Sequence, residues 1–258
     1  GLDQGPEGPL AGFGGVALYL QGAVGGMMTP LHCDTWDLDG ARYRPESLEK
    51  AYAVGRVLGY HALQAFAADR AAEAPRLSFR TRSLMVPVEN AAFHVMLNAD
   101  VFDRPGFNYD PDSLVSDENR PDLQTELDLL EVGDLSVLTI PGELLPELAI
   151  GGYDGSHTGP LQVIVEPGNP NPPDLAAAPE GPYLKDLMPG ATKMIFGLAN
   201  DEIGYLVPPY NYVLSNSGPY FNEAPGDHYE ETNSVGPTAV PRLLEIGANL
   251  LEFSPPEL

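Results

Sequence analysis

From Leu123 onward, Leu123, Thr125, Leu127 and Leu129 alternate with Gln124, Glu126 and Asp128; Gly133-Asp134 follows, and then the apolar run Leu135 to Ile140. A period of two over seven residues is the pattern of a half-buried strand, because successive side chains of a strand point to opposite faces. The Gly-Asp pair between two such runs is the chemistry of a tight hairpin turn. A β-hairpin therefore sits near the middle of the fold, and the other elements have to be compatible with a sheet.

Leu77, Phe79 and Thr81 alternate with Arg80 and Arg82 and predict a second half-buried strand. Val16 to Leu20 predicts a buried strand running into "QGAVGGMMTP", and Lys193–Leu198 another. Residues 90–102 are apolar and fit either helix or strand. Pro45 opens the best helix, with Leu48, Ala51, Tyr52, Leu58, Ala62, Ala65 and Phe66 at helical spacing. Gly55 and Gly59 lie in it four apart, each costing ~1 kcal/mol relative to Ala, so close packing is expected there. "ELLPELAIGG" begins a short helix that accepts Pro146 only in its first turn, and Pro241 starts a last helix to about Phe253. Residues 1–13 read as an N-terminal arm, and 103–121 and 151–191 as loops. No repeat or dividing linker appears, so residues 1–258 read as a single domain. The fold class expected is α/β (α+β mixed): a mixed β-sheet core with flanking helices and long Gly/Pro-rich loops.

The 258 residues, 43% hydrophobic, can bury a real core. With 37 acids against 13 bases the net charge is -24, which argues against a phosphate-binding surface, since nucleic-acid affinity rests on clustered Lys and Arg. The acidity suits the solvated surface of a secreted protein. One cysteine, Cys33, leaves no internal disulfide and no Cys-rich zinc site. No apolar run is long enough to span a bilayer, so a transmembrane protein is not expected. The chain starts with Gly, which suggests processing or a longer precursor; a secreted, periplasmic or cell-surface location is expected.

Two strands end alike: "LTIPGE" at Glu143, and "MIFGLAND" at Asn200 and Asp201. Strand ends on a rigid sheet are common site architecture. Two readings stand side by side. In one, Glu143 caps a helix and Asp201 fixes a turn. In the other, Glu143 and a nearby phenol hold a hard or borderline cation. The five histidines, His32, His61, His94, His157 and His228, show neither HxH nor HExxH spacing, so no complete metal site is legible. "LHCDTWDLDG" has acids at the wrong spacing for an EF-hand and reads as Asx-turn loop; calcium held for stability by acidic loops is a further possibility.

Four segments, in order, resemble the catalytic domain of the neutral (alkaline, non-lysosomal) ceramidase family: "YLQGAVGGMMTP", "TIPGELLPELAIGG", "GLANDEIGY" and "HYEETNSVGP". They are similar to the family's nucleophile loop, its "PxE" zinc-ligand turn, its "GLxNxxxxY" strand end and its "YExxSxxGP" loop. The resemblance is diffuse through most of 15–250. It implies a zinc ion held by two His, one Glu and one Tyr, with hydrolysis of the amide of an N-acyl sphingoid base. By position, Glu143 looks like the Glu ligand, Tyr205 like the Tyr ligand, and Tyr229 like the phenol that polarises the scissile carbonyl. The family's His ligands precede the nucleophile loop, so the resemblance implies that this chain is the C-terminal half of the catalytic domain, with the N-terminal half as a separate partner chain of the same precursor. Where the family has a "GDVSP"-like loop with a Ser nucleophile, this chain has "GGMMTP"; Thr29 fills that position with a shift of one residue. The spacings from Glu143 to Tyr205 and on to Tyr229 are longer than the family's.

The functional expectation is a zinc-dependent hydrolase of amide or ester bonds in an N-acyl, lipid-like substrate. The alternative is a non-catalytic secreted binding or structural protein that keeps the fold.

Overall fold

A computed structural model describes residues 16, 18–26, 30–31, 33–68, 74–152, 165 and 167–252. Those before residue 75, apart from 21–26, make one compact unit, and 21–26 with those from Pro75 onward make the other.

In the first unit, β1 (Thr35–Trp36) and β2 (Arg42–Tyr43) form a short antiparallel hairpin, followed by α1 (Leu48–Ala68). Its acids are used locally. Arg42 grips both oxygens of Asp34 at 2.9 and 2.7 Å, which holds that carboxyl below the usual range, and the Ala41 N–H donates to Asp39 in an Asx turn. Lys50 is buried and donates to the carbonyls of Pro30, Cys33 and Arg44 at 2.6, 2.7 and 2.9 Å. On α1, Ala53 is buried while Leu48, Tyr52, Leu58 and Phe66 are exposed, and among the described residues nothing beyond the helix backbone and the neighbouring residues lies within 4 Å of a Cβ built on Gly55. Among the described residues of the expected buried strand at Val16–Leu20, Val16, Leu18, Tyr19 and Leu20 are exposed and belong to no strand. Apolar residues in sequence do not form a buried strand without a partner edge and a covering layer.

The second unit is built on a mixed four-stranded sheet with flanking helices, the α/β class expected. Along the chain come β3 (Leu77–Pro87), α2 (Ala91–Asn98), β4 (Asp122–Val132), β5 (Leu135–Thr139), β6 (Glu143–Leu144), α3 (Pro146–Ile150), α4 (Leu184–Leu187), β7 (Thr192–Phe196), β8 (Tyr205–Leu206), α5 (Tyr229–Thr232) and α6 (Ala239–Glu252). The sheet order is β3-β4-β5-β7; the first two pairings are antiparallel and β5-β7 is parallel. Gly133 and Asp134 make the two-residue turn, and Gly133 alone carries a positive φ, +59°, as a turn with Gly first requires. Pro146 stands at the start of α3, where its missing N–H costs nothing.

β3 corrects the sequence reading. Leu77 and Phe79 are 70% and 63% exposed, while Arg80 is on the covered face and donates to the Leu250 carbonyl of α6 at 3.1 Å and to Glu131 at 3.3 Å. The longer strand decides this: Leu84 and Val86 share the parity of Arg80 and are core. With Leu127, Leu129, Leu138, Ile140, Leu243 and Leu250 they form the apolar centre beneath α6. The apolar run 90–102 is helix α2, started by Asn90, whose side chain accepts from the N–H groups of Ala92 and Phe93 and donates to the carbonyl of Ser234 at 2.8 Å.

Candidate functional site

The end of β5 continues through Ile140-Pro141-Gly142 into β6, and the end of β7 through residues 197–204 into β8. These two excursions cross. Leu198 N–H donates to the Gly142 carbonyl at 3.1 Å, Ile203 N–H to Pro141 at 2.9 Å, and Glu143 N–H to Gly204 at 3.1 Å. The result is a two-residue parallel pair in which Glu143 stands opposite Tyr205 and Leu144 opposite Leu206. Gly204 makes the crossing possible. Its φ is +91°, and a Cβ there would lie 2.0 Å from the Asn233 carbonyl oxygen.

Tyr229 begins α5 and is brought to the same place through Asn233. The Asn233 carbonyl accepts the Tyr205 N–H at 2.9 Å, while its side-chain amide donates to the Tyr229 carbonyl at 3.2 Å. The Tyr205 and Tyr229 hydroxyls are hydrogen-bonded to each other, and the rings meet edge to face with centroids 5.3 Å apart. Glu143 faces Tyr205 across the β6-β8 register, and its charge bears on the phenol. Glu143, Tyr205 and Tyr229 are thus brought together at one place.

The segment Gln21–Gly26 borders it. The Gln21 carbonyl accepts the Gly197 N–H at 3.0 Å, and the Gly25 N–H donates to Leu144 at 2.8 Å. A Cβ on Gly25 would be 2.5 Å from the Glu143 carbonyl oxygen, and one on Gly26 would be 3.8 Å from Glu230 Oε1. Only a glycine backbone can approach Glu143 this closely. Thr29, which follows, lies outside the described residues, as do His32 and His157.

Asn200 and Asp201 belong to the turn. Asn200 has φ +69° and donates to Asp128 at 2.5 Å and Thr139 at 3.0 Å. Asp201 takes a bidentate grip from Arg104 at 2.8 and 2.9 Å and accepts the Glu202 N–H. A cleft of about 500 Å³ beside the turn is lined by Ser83, Arg104, Phe107, Gln124, Glu126 and Asp201 among others; neither Glu143, Tyr205 nor Tyr229 lines it. Glu143 is not a helix cap: it is in β6, and Leu145 precedes α3.

The electrostatics of the cluster are one-sided. Burial raises the Glu143 carboxyl, and its hydrogen bond to Tyr205 offsets only part of this. Burial, the Tyr229 hydrogen bond and the Glu143 charge push the Tyr205 phenol well above ordinary tyrosine. Burial also raises Tyr229, against the hydrogen bond from Tyr205. Two acids that sequence reasoning passed over join them. Glu202 is pushed up to about 7, mainly by burial, against the Gly204 N–H and reinforced by Glu143 and Asp201. Glu230 is pushed up to about 7 by burial and by Glu231 and Asp227. Their only sequence signal was adjacency, one inside the "GLANDEIGY" stretch and one beside Tyr229.

A site crowded with acid oxygens and retained protons is one whose shifts a divalent cation would reverse. A carboxylate and a phenol held side by side supply two neighbouring oxygen donors, which suits part of a zinc shell. Among the described residues no group of three or more His, Cys, Asp or Glu is arranged to hold a metal ion, so further ligands would have to be added. No protein-family model matches the chain, and no curated protein matches it in sequence.

Proposed function

We propose that this chain carries part of a zinc-dependent hydrolase site, similar to that of neutral ceramidases, which cleaves an amide or ester bond in an N-acyl, lipid-like substrate. His ligands would come from an N-terminal segment of the same precursor, present as a separate chain. The observation that carries the reading is the register of β6 and β8, which sets Glu143 opposite Tyr205, with Tyr229 hydrogen-bonded to the same phenol.

In this reading Glu143 and Tyr205 hold the ion. Zinc, when bound, supplies Lewis acidity and lowers the pKa of water toward neutrality. Tyr205 would be needed there as the phenolate, and that oxygen would also be an acceptor for Tyr229. Tyr229 has one proton to donate. In the free chain the two hydroxyls share a hydrogen bond; with substrate in place the Tyr229 proton is directed at the scissile carbonyl, where a donor aimed at the developing oxyanion is worth a few kcal/mol in a dry pocket. Gly25 and Gly26 let the preceding loop approach without a side chain in the way.

The test is metal analysis of the complete assembly together with hydrolysis of N-acyl amide and ester substrates. Glu143→Ala and Tyr205→Phe are each expected to lower zinc content and reduce turnover at least a hundredfold; Glu143→Ala behaving as wild type overturns the reading. A second reading, a non-catalytic binding or structural protein, is favoured by the absence of serine from "GGMMTP". It predicts no turnover in any metal-loaded preparation.

A further inference from the structure

We infer that the buried His228–Glu231 pair is the positioning device for Tyr229, acting through α5 without touching substrate. The inference rests on the reading of Tyr229 as the phenol directed at the scissile carbonyl.

α5 is four residues long, a single turn, and Tyr229 is its first residue. One turn does not sustain itself, because helix nucleation is unfavourable. The direction of the Tyr229 side chain must therefore be set by tertiary contacts. The residue before it, His228, is 4% exposed, and Glu231 on the same turn is 2% exposed. His228 Nε2 lies 2.9 Å from the Asn171 carbonyl oxygen, an acceptor, so this nitrogen carries a proton. His228 Nδ1 lies 2.8 Å from Glu231 Oε1, and the same oxygen accepts the Val213 N–H at 3.0 Å. A carboxylate oxygen approached by a backbone N–H and a ring nitrogen is served best when both donate. The ring is then an imidazolium facing a carboxylate.

Three stretches of chain meet at this pair: residues 169–171, Val213 and α5. Asn169 and Asn171 add side-chain hydrogen bonds to the carbonyls of Gly226 at 3.0 Å and Pro225 at 2.7 Å, just ahead of His228. On the other side of the turn, Thr232 Oγ1 donates to the Tyr229 carbonyl at 2.7 Å, and Asn233 joins it to Tyr205. Tyr229 is clamped before and after, and the His228–Glu231 pair is the buried centre of the first clamp. Hydrolysis requires the phenol at one place; a buried, doubly hydrogen-bonded pair one residue away is a means of keeping it there.

The test uses the full chain carrying [13Cζ]tyrosine, with the Tyr205 and Tyr229 signals assigned through Tyr205→Phe and Tyr229→Phe. In wild type, His228 should show both ring N–H protons near neutral pH. The double variant His228→Phe with Glu231→Leu leaves no unpaired buried charge. In it the Tyr229 and Tyr205 signals should shift, while Tyr183 on the far segment stays in place. Glu231→Gln, which keeps the acceptor oxygen, should restore most of the wild-type signal position. In the zinc-loaded assembly the double variant should lower kcat at least tenfold with KM within twofold. A single ring proton on His228, or unchanged Tyr229 signals in the folded double variant, overturns the inference. Absence of turnover in wild-type assembly overturns the hydrolase reading and leaves the tyrosine result standing; turnover unaffected by the double variant overturns this inference alone.

Discussion

At the scale of single residues, the phenol pair makes the sharpest prediction. Tyr229 raises Tyr205 through their hydrogen bond, whereas the same bond lowers Tyr229. Tyr229→Phe removes that bond, so it should bring the Tyr205 titration down toward ordinary tyrosine, followed by ultraviolet absorption of the phenolate. Both phenols are raised above their unfolded value of 10.0, so the folded chain holds protons that the unfolded one releases. Stability is lost as pH climbs past 10. Gly204 is the second residue to test. Alanine there would need a left-handed backbone and would place its Cβ against the Asn233 carbonyl. Gly204→Ala should cost roughly 2–4 kcal/mol by denaturant unfolding and separate the two tyrosines. Glu143 was legible from the strand-end pattern, and Tyr205 and Tyr229 through motif resemblance; the shifts of Glu202 and Glu230 were not, because they arise from neighbours that folding supplies.

At the scale of elements, α2 holds an unused polar atom. His94 is 1% exposed, packs edge to face on Tyr109, and its Nε2 has no hydrogen-bond partner among the described residues. Burial lowers its pKa below 6.5. Below 6.5 the unfolded imidazole binds a proton that the folded one refuses, so this residue removes stability as pH falls through 6.5 toward the lower folded value. His228 has the opposite sign: its raised value contributes stability below 6.5 that is lost as pH rises through the folded value. His94→Phe should keep the contact with Tyr109, remove an unpaired buried nitrogen worth about 1 kcal/mol, raise the melting temperature by about 2–4 °C and flatten the acid side of the stability profile. Calorimetry between pH 5 and 8 checks this; a lower melting temperature at pH 7 would count against it. The β4-β5 hairpin was readable because its alternation and turn are local. The buried face of β3 was not, because Leu77 and Phe79 suggested one parity while Leu84, Val86 and the Arg80 contact to α6 impose the other.

At the scale of the whole molecule, charge dominates. A net charge of -24 repels itself in the compact state, and salt screens that repulsion. Raising sodium chloride from 10 mM to 0.5 M should increase the melting temperature by several degrees, despite weakening exposed pairs such as Arg120–Asp117. A fall over that range would mean that ion pairs, not self-repulsion, set the balance.

By itself the sequence determined the hairpin, the short Pro-started helix, the strand leading to 197–205 and the acidic surface, because periodicity, turn chemistry and charge act between near neighbours in the chain. Only the tertiary structure decided which face of β3 is covered, that Val16 and 18–20 are exposed, and that Glu143, Tyr205 and Tyr229 come together with Gly25 and Gly26 beside them. Those outcomes depend on backbone crossings between distant segments. Whether a crossing can close depends on a few atoms of clearance at Gly204 and Gly25, which no local pattern encodes.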